Sequence, residues 1–377
     1  MYKAFKFRLY PDNKQKELIN KTFGCSRFVY NYYLNKIKDS KYINAYSNIS
    51  DYVNNLKYTY PFLQEVDSTI IRKSIFHLDD NIKHYYNDNF GYPKYKSKYD
   101  RNSYSTNAIY STYKDRKYCN IELDLVNRKI KLPKLKWIDI RGYRNITNID
   151  GRIINATISK EINKYYVSLV IDIPIIKEIV LPKSIVGIDI GIKKLLTLSD
   201  GITFDNNKYI EKYEKRIKRL QRELSRKVKR SNNYYKCKEK ISILYRKLKN
   251  ARKYYLHNIT KKITDEYDII TCEKLHTKDM IMAKTLSKSL TDASFNEILR
   301  QLIYKSQYKH KYFYQVDTYY PSSQTCNYCG NIDRKYKDIK ERIYKCHKCG
   351  NTLDRDLNAS LNICYEGMKL YMKEIYG

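Results

Sequence analysis

The chain has 377 residues, with 74 Lys and Arg against 40 Asp and Glu for a net charge of +34, and 42 of its residues are tyrosine. That length allows two or three domains with a sizeable core. So large a basic excess excludes a neutral or acidic partner as its reason and points to a polyanion, since each phosphate neutralised releases counterions. The start, MYKAFKFRLYPDNKQ, lacks the apolar core of a signal peptide. The most apolar window, YYVSLVIDIPIIKEIVLP, is broken by Asp172, Lys177 and Glu178 and reads as strands rather than a membrane span. A soluble, cytoplasmic protein is expected, with no membrane partner.

The opening YKAFKFRLY alternates to Pro11 and predicts a short strand. Helical periodicity follows from about Asn13 to Phe90: Leu18, Phe23, Phe28, Tyr32 and Leu34 form one stripe, and Ile71, Ile75, Leu78, Ile82 and Tyr85 another, with Asp67 or Ser68 as N-cap. GYPKYKSKYDRNSYST reads as a basic, aromatic loop. From Asn107 to Leu181 the pattern is strand-like, and with the first strand it suggests a small β-barrel interrupted by the helical segment. IVGIDIG, KLLTLSDG and ITFD then predict three short strands with a hairpin signal at Ser199-Asp200-Gly201. Two long basic helices are expected over about Lys208–Lys229 and Asn232–Glu266, then a buried strand ending at Glu273, a helix, and the strand KYFYQVD. In the closing helix, Leu357, Leu361, Cys364 and Met368 form a stripe expected to be core.

Five of the nine cysteines (Cys25, Cys119, Cys237, Cys272, Cys364) are scattered, which argues against a disulfide framework. The other four stand in two Cys-x-x-Cys-Gly knuckles, Cys326/Cys329 and Cys346/Cys349. Each turns two thiolates toward one point, so the pair predicts a closed four-sulfur structural Zn2+ cage. His347 occupies a spacer position within a knuckle and is left out of the ligand set.

Asp189 interrupts an apolar strand, where an ionised carboxylate needs compensation. Alternation puts it on the face of Gly187 and Gly191, which suggests open space beside it for a metal ion and a phosphate. Taken alone, it could equally be a strand-end Asp facing solvent. Glu273 ends a second buried strand. In DRDLNAS, Asp354 has the better claim to an N-cap, leaving Asp356 in the first helical turn. Three acidic residues on two strands and a helix look like a ribonuclease H-type site, in which two divalent ions clamp a phosphodiester; Mg2+ suits such oxygen ligands.

The motifs GIDIGIKKLLTLSDG, EKLH, SSQTCNYCG…YKCHKCG and DRDLNASLNI, in this order, closely resemble the TnpB family, proteins of insertion sequences related to the type V CRISPR effectors. KAFKFRLYPDNKQ, FGCSRFVYNYYL, GYPKYKSK, IKLPKL and SRKVKRSNNYYKCKEKI extend the likeness over nearly the whole chain. The resemblance implies a multidomain α+β fold: a β-barrel wedge domain (1–12 and 96–181), a helical recognition domain inserted in it (13–95), an RNase H-like RuvC nuclease domain (182–322 and 353–377) and an inserted zinc ribbon (323–352). It carries the family's catalytic triad onto Asp189, Glu273 and Asp356, holding Mg2+. It implies RNA-guided DNA cleavage with a guide RNA from the element's end held by the protein, which reads a short motif beside its double-stranded target; a monomer carrying one RNA is the simplest assembly. A strand-transfer transposase and a non-cleaving guided regulator are the alternatives. Ser360 stands where the family usually has a second alanine, and His310 where a glycine is common.

Overall fold

The protein is described by a computed structural model covering residues 1–39, 44–88, 90–113, 116–142, 151–174, 181–274, 294–337 and 341–377. Lys177, Glu178 and the His276 of the EKLH motif lie outside the described residues. The chain divides into two compact units, Met1–Ile176 and Lys177–Gly377. Among the described residues no helix is long and apolar enough to cross a membrane.

In the first unit, β1 (Tyr2–Tyr10) ends at Pro11 and gives way to α1 (Asn13–Asp39). A reciprocal cap starts this helix: the Gln15 backbone N–H donates to Asp12 Oδ1 at 2.8 Å, and the Asp12 N–H to Gln15 Oε1 at 3.0 Å. The helix buries Ile19, Phe23, Val29, Tyr30, Tyr33 and Leu34. Phe28 and Tyr32, expected on that stripe, are only half-buried; they lean instead on the rings of Tyr60 and, for Phe28, Phe62 as well. After α2 (Ala45–Asp51), a π-helical turn and α3 (Lys57–Thr59), α4 (Ser68–Asn87) buries Ile71, Ile75, Leu78 and Ile82 at the expected spacing, while Tyr85 is exposed. Asp67 caps it by accepting from the Thr69 N–H.

The strands β2 (Asn102–Asn107), β5 (Glu122–Asp124), β6 (Lys129–Leu132), β7 (Lys136–Arg141), β8 (Arg152–Glu161) and β9 (Lys164–Asp172) join β1 in a seven-stranded antiparallel sheet. Its order is β2-β8-β9-β1-β7-β6-β5, and β3 (Tyr110–Tyr113) pairs with β4 (Arg116–Cys119) as a separate hairpin. Among the described residues, α1 to α4 all fall between β1 and β2 in the chain, within the segment where the periodicity is helical.

The second unit is built on β10 (Ile185–Ile190), β11 (Lys194–Leu198), β12 (Thr203–Asp205), β13 (Ile269–Glu273) and β14 (Tyr312–Val316), in the order β12-β11-β10-β13-β14. The first three pair antiparallel and the last two join parallel to β10. Between β12 and β13 come α5 (Tyr209–Ser225) and α6 (Asn232–Glu266), and before β14 comes α7 (Phe295–Tyr308). Just past α7, His310 adopts φ +56°, the left-handed conformation that explains a glycine preference there. The chain then forms the four-cysteine segment, with β15 (Ile343–Lys345) and β16 (Thr352–Asp354), and closes with α8 (Arg355–Tyr376).

The packing of α8 corrects two expectations. The face it buries is Asn358, Ala359, Ser360, Asn362, Ile363 and Gly367, whereas Leu357, Leu361, Cys364 and Met368 are only half-buried. The space beside Gly187 is not open either: a Cβ there would overlap the carbonyl oxygen of Ser360 and the backbone of Cys364. A Cβ on Gly367 would likewise overlap Thr271 of β13. Small residues on both sides let helix and sheet approach more closely than leucines would permit. Because the obstacle at Gly187 is backbone, Gly187→Ala is expected to cost roughly 3 kcal/mol, the upper part of the range for overpacking. Urea denaturation would measure it, and an unchanged midpoint would refute the close approach.

Candidate acidic site and metal centre

Parallel pairing runs from Ile185 with Ile269 to Ile188 with Cys272. One residue further, Asp189 and Glu273 occupy adjoining positions on neighbouring strands and share a face of the sheet. That face is the one α8 covers, since Gly187 and Thr271, two residues earlier on each strand, both meet the helix. Thr271 also donates from Oγ1 to the carbonyl oxygens of Val186 and Ile363, at 3.0 and 3.2 Å. Two residues along a strand advance about 6.6 Å, and four residues back along α8, from Ser360 to Asp356, retreat about 6 Å. The arithmetic brings Asp356 to the level of the two strand-end carboxylates.

The cap that starts α8 fixes that turn. Asp354 Oδ1 accepts from the backbone N–H groups of Asp356 at 2.9 Å and Leu357 at 3.2 Å, leaving the Asp356 carboxylate uninvolved in capping.

Electrostatics show the result. Asp189 is crowded by protein on nearly every side yet keeps some solvent access, as at the floor of a recess. Burial, then the charges of Glu273 and Asp356, push its carboxyl well above the ordinary carboxylate range, and Arg355 only partly offsets them. Burial also raises Glu273, against a hydrogen bond from the Ser322 hydroxyl and the charge of Arg355. Arg355 therefore leaves Asp189 raised. Asp189 is thus the carboxylate that its acidic neighbours raise, whereas Glu273 is raised by burial.

The cysteine cluster is tighter. The sulfur atoms of Cys326, Cys329, Cys346 and Cys349 all lie within 4.8 Å of one another. Cys326 to Cys349 is 3.7 Å and Cys329 to Cys346 is 3.6 Å. A tetrahedron with Zn–S bonds of about 2.3 Å has edges of about 3.8 Å, so the cage fits Zn2+. The knuckles repeat each other: Gly330 and Gly350 take φ +73° and +76°, and each donates to the carbonyl of its first cysteine at 2.9 Å. Against its own burial, the N–H groups of Cys329 and Tyr328 lower the Cys326 thiol to about 7, while, against the Asn351 N–H, burial and the neighbouring sulfurs push Cys349 up to about 12. His347 points away from the sulfurs toward Asp333 and Asn331, at 3.4 and 3.5 Å.

The cysteine segment and the acidic recess share residues that periodicity could not identify. Asn358 and Asn362 of α8 each donate to the Thr325 carbonyl at 2.7 Å, and Asn362 also to that of Ser322. Arg355 donates to the Tyr336 carbonyl and Ser323 Oγ, and Arg342 lies 3.7 Å from the Asp356 carboxylate. The sequence signal for the arginines is only the place of Arg355 within DRD and of Arg342 shortly before the second knuckle.

Comparison with known proteins follows this anatomy. Residues 168–284 match the family model "Probable transposase", 295–363 "Cas12f1-like, TNB domain", and 1–42 "Helix-turn-helix domain". InsQ of Escherichia coli K12, named as an RNA-guided DNA endonuclease, is 30% identical, with 97% of this chain and 92% of that protein aligned. A Streptomyces pristinaespiralis protein of similar name is 27% identical over 97% and 89%. A Cas12f1 chain, solved by cryo-EM with its sgRNA and target DNA, shares the fold with a TM-score of 0.58 over 97% of this chain and 98% of that one, at 16% identity.

Two outcomes are expected. Cys346→Ser loses bound zinc, from about one ion per chain toward none by elemental analysis, and folds in lower yield; full zinc content would refute the cage. Because folding raises the Asp189 pKa, the folded state holds the proton more tightly, and stability in buffer without added magnesium falls as pH rises from about 4 through the folded value. Asp189→Asn should flatten that slope and raise the Tm by a few degrees at about pH 8. A lowered Tm there would mean that the carboxylate is compensated within the protein.

Proposed function

The chain belongs to the TnpB family, and on that premise we propose that it is an RNA-guided DNA endonuclease of a transposable element. The observation that carries the chemistry is the acidic recess: burial, then the carboxylates of Glu273 on β13 and Asp356 in the first turn of α8, raise the pKa of Asp189 on β10, and Arg355 offsets them only in part. The strand order, with three antiparallel strands followed by two parallel ones, supports an RNase H-like RuvC domain over 182–322 and 353–377. Acidic residues at the carboxyl ends of adjacent parallel strands suit the place where open α/β sheets bind ligands. Residues 323–352 are the zinc ribbon, 1–12 with 96–181 the wedge domain, and 13–95 the recognition domain inserted in it.

Asp189, Glu273 and Asp356 would hold Mg2+, which when bound supplies an activated water and charge stabilisation at the phosphodiester. The protein's own part is positional. Asp354 aims the first turn of α8, the Ser322 hydroxyl orients Glu273, and Arg355 sets a fixed positive charge beside the carboxylates. Hydrolysis adds water to phosphorus and breaks the bond to the leaving oxygen. A resident guide RNA selects the site by base pairing, so the protein needs to recognise only backbone and a short motif beside the target. One chain carrying one RNA is the simplest assembly.

The family description "Probable transposase" motivates a second reading, strand transfer without a guide, because the same acidic chemistry would serve it. Expression with the element's flanking sequence, followed by sequencing of copurified RNA and a Mg2+-dependent cleavage assay, separates the two. Cleavage that tracks the guide sequence is expected, and guide-independent joining would favour the transposase. Asp189→Ala should reduce cleavage at least about a thousandfold, the scale on which electrostatic groups of an active site act, while retained RNA stays near the wild-type level. Undiminished cutting by that variant would remove Asp189 from the site.

A further inference from the structure

The turn after β14 carries a side chain for which the fold supplies no use. Of the large apolar side chains among the described residues, Tyr319 is the most exposed, at 89%. A chain with 42 tyrosines exposes some of them by composition alone, so the place and the support of this one decide its meaning.

The place is the edge of the acidic recess. Tyr319 follows Thr318, whose Oγ1 donates to the carbonyl of Lys274 at 2.7 Å, and Lys274 directly follows Glu273. Three residues on, the Ser322 hydroxyl donates to Glu273 itself. Three residues span at most about 11 Å, roughly the rise of three stacked nucleotides. The turn is also held from within. Asp317 accepts from the Tyr319 N–H at 2.8 Å through Oδ1 and from the Tyr320 N–H at 3.1 Å through its carbonyl. The Ser322 N–H donates to the Tyr320 carbonyl at 2.8 Å, and the Ser322 carbonyl accepts from Asn362 of α8 at 2.7 Å. Of the two successive rings, Tyr320 is half-buried, whereas Tyr319 stands in solvent on the same fixed backbone. A ring so placed gains nothing from burial within the chain. It is preorganised for a flat partner that arrives from outside, and every nucleobase offers such a face. Lys274, also exposed, brings a positive charge to the same edge for the phosphate of that strand.

We propose that Tyr319 stacks on a base of the DNA strand being cut, within about three nucleotides of the scissile phosphate, and so holds that strand over the carboxylates. The proposal rests on the endonuclease reading and adds a substrate contact to it. Stacking accepts any base, as a nuclease whose targets are chosen by its guide requires.

The test uses the full-length protein with its copurified guide RNA, a matching target duplex, and the variants Tyr319→Ala and Tyr319→Phe. Tyr319→Ala should lower kcat/KM for cleavage about tenfold or more, the scale of one base–aromatic stack. Its retained RNA and Tm should stay at wild-type levels, because the side chain is exposed. Tyr319→Phe keeps the ring and should stay within about twofold of wild type. Single abasic nucleotides are then placed at each of about three positions on either side of the cut. One of them should reproduce the loss in wild type and add nothing further in Tyr319→Ala. A fluorescent adenine analogue, 2-aminopurine, at that position should be quenched by wild type without Mg2+ and not by Tyr319→Ala. Equal cleavage by Tyr319→Ala, additive losses at every abasic position, or a phenylalanine variant as impaired as the alanine one would overturn the proposal and leave the endonuclease reading intact. Non-additivity with abasic positions in the guide RNA instead would overturn the DNA strand as the occupant. Wild-type protein that cuts no guided target would bring down the endonuclease reading, and the stack with it.

Discussion

The second unit depends on how closely its last helix approaches its sheet. Gly187 on β10 and Gly367 on α8 remove the side chains that would hold them apart, and the backbone of Ser360 and Cys364 occupies the space gained. One acid of the recess is placed through this contact. Asp189 and Glu273 are fixed by strand register, which a buried sheet specifies strongly. Asp356 is fixed only because α8 lies at one distance and one offset along the strands. Lifting the helix by the thickness of a methyl group would move one carboxylate and leave the other two in place.

The cysteine cage is part of the same construction. Two asparagines of α8 bind the backbone at the entrance to the first knuckle, and Arg342 and Arg355 bring positive charge to the recess from either side of the second. A metal bound at the cage would therefore be linked to the orientation of the first turn of α8, although a closed four-sulfur site performs no chemistry.

Much of this was legible in the residues. The strands around Asp189, the strand ending at Glu273, the capping role of Asp354 and the pairing of the knuckles all follow from local rules that read alternation, turn formers and short spacings. Two readings failed for a common reason. Periodicity seeks large apolar side chains, so it chose Leu357, Leu361, Cys364 and Met368 as the buried face of α8, and it took the glycines near Asp189 to mark open space. Close helix–sheet packing uses the opposite composition, with glycine, alanine, serine and asparagine inside. The arginines and Ser322 that tune the recess were invisible because they act through distance in space. The stripe on α1 misjudged Phe28 and Tyr32 similarly, since neighbouring rings offered them a second packing surface.

The order in which the chain supplies its acidic residues carries a further consequence. Asp189, Glu273 and Asp356 come from elements more than eighty residues apart in sequence, and α8, which supplies the last of them, also completes the sheet's cover. On a ribosome adding roughly 5–20 residues per second, β10 and β13 emerge seconds before α8 can close over them. A growing chain can therefore fold its sheet while the recess is still one wall short. Synthesis itself times the assembly of the site, and a chain stopped before residue 356 carries two of its acids and none of its lid.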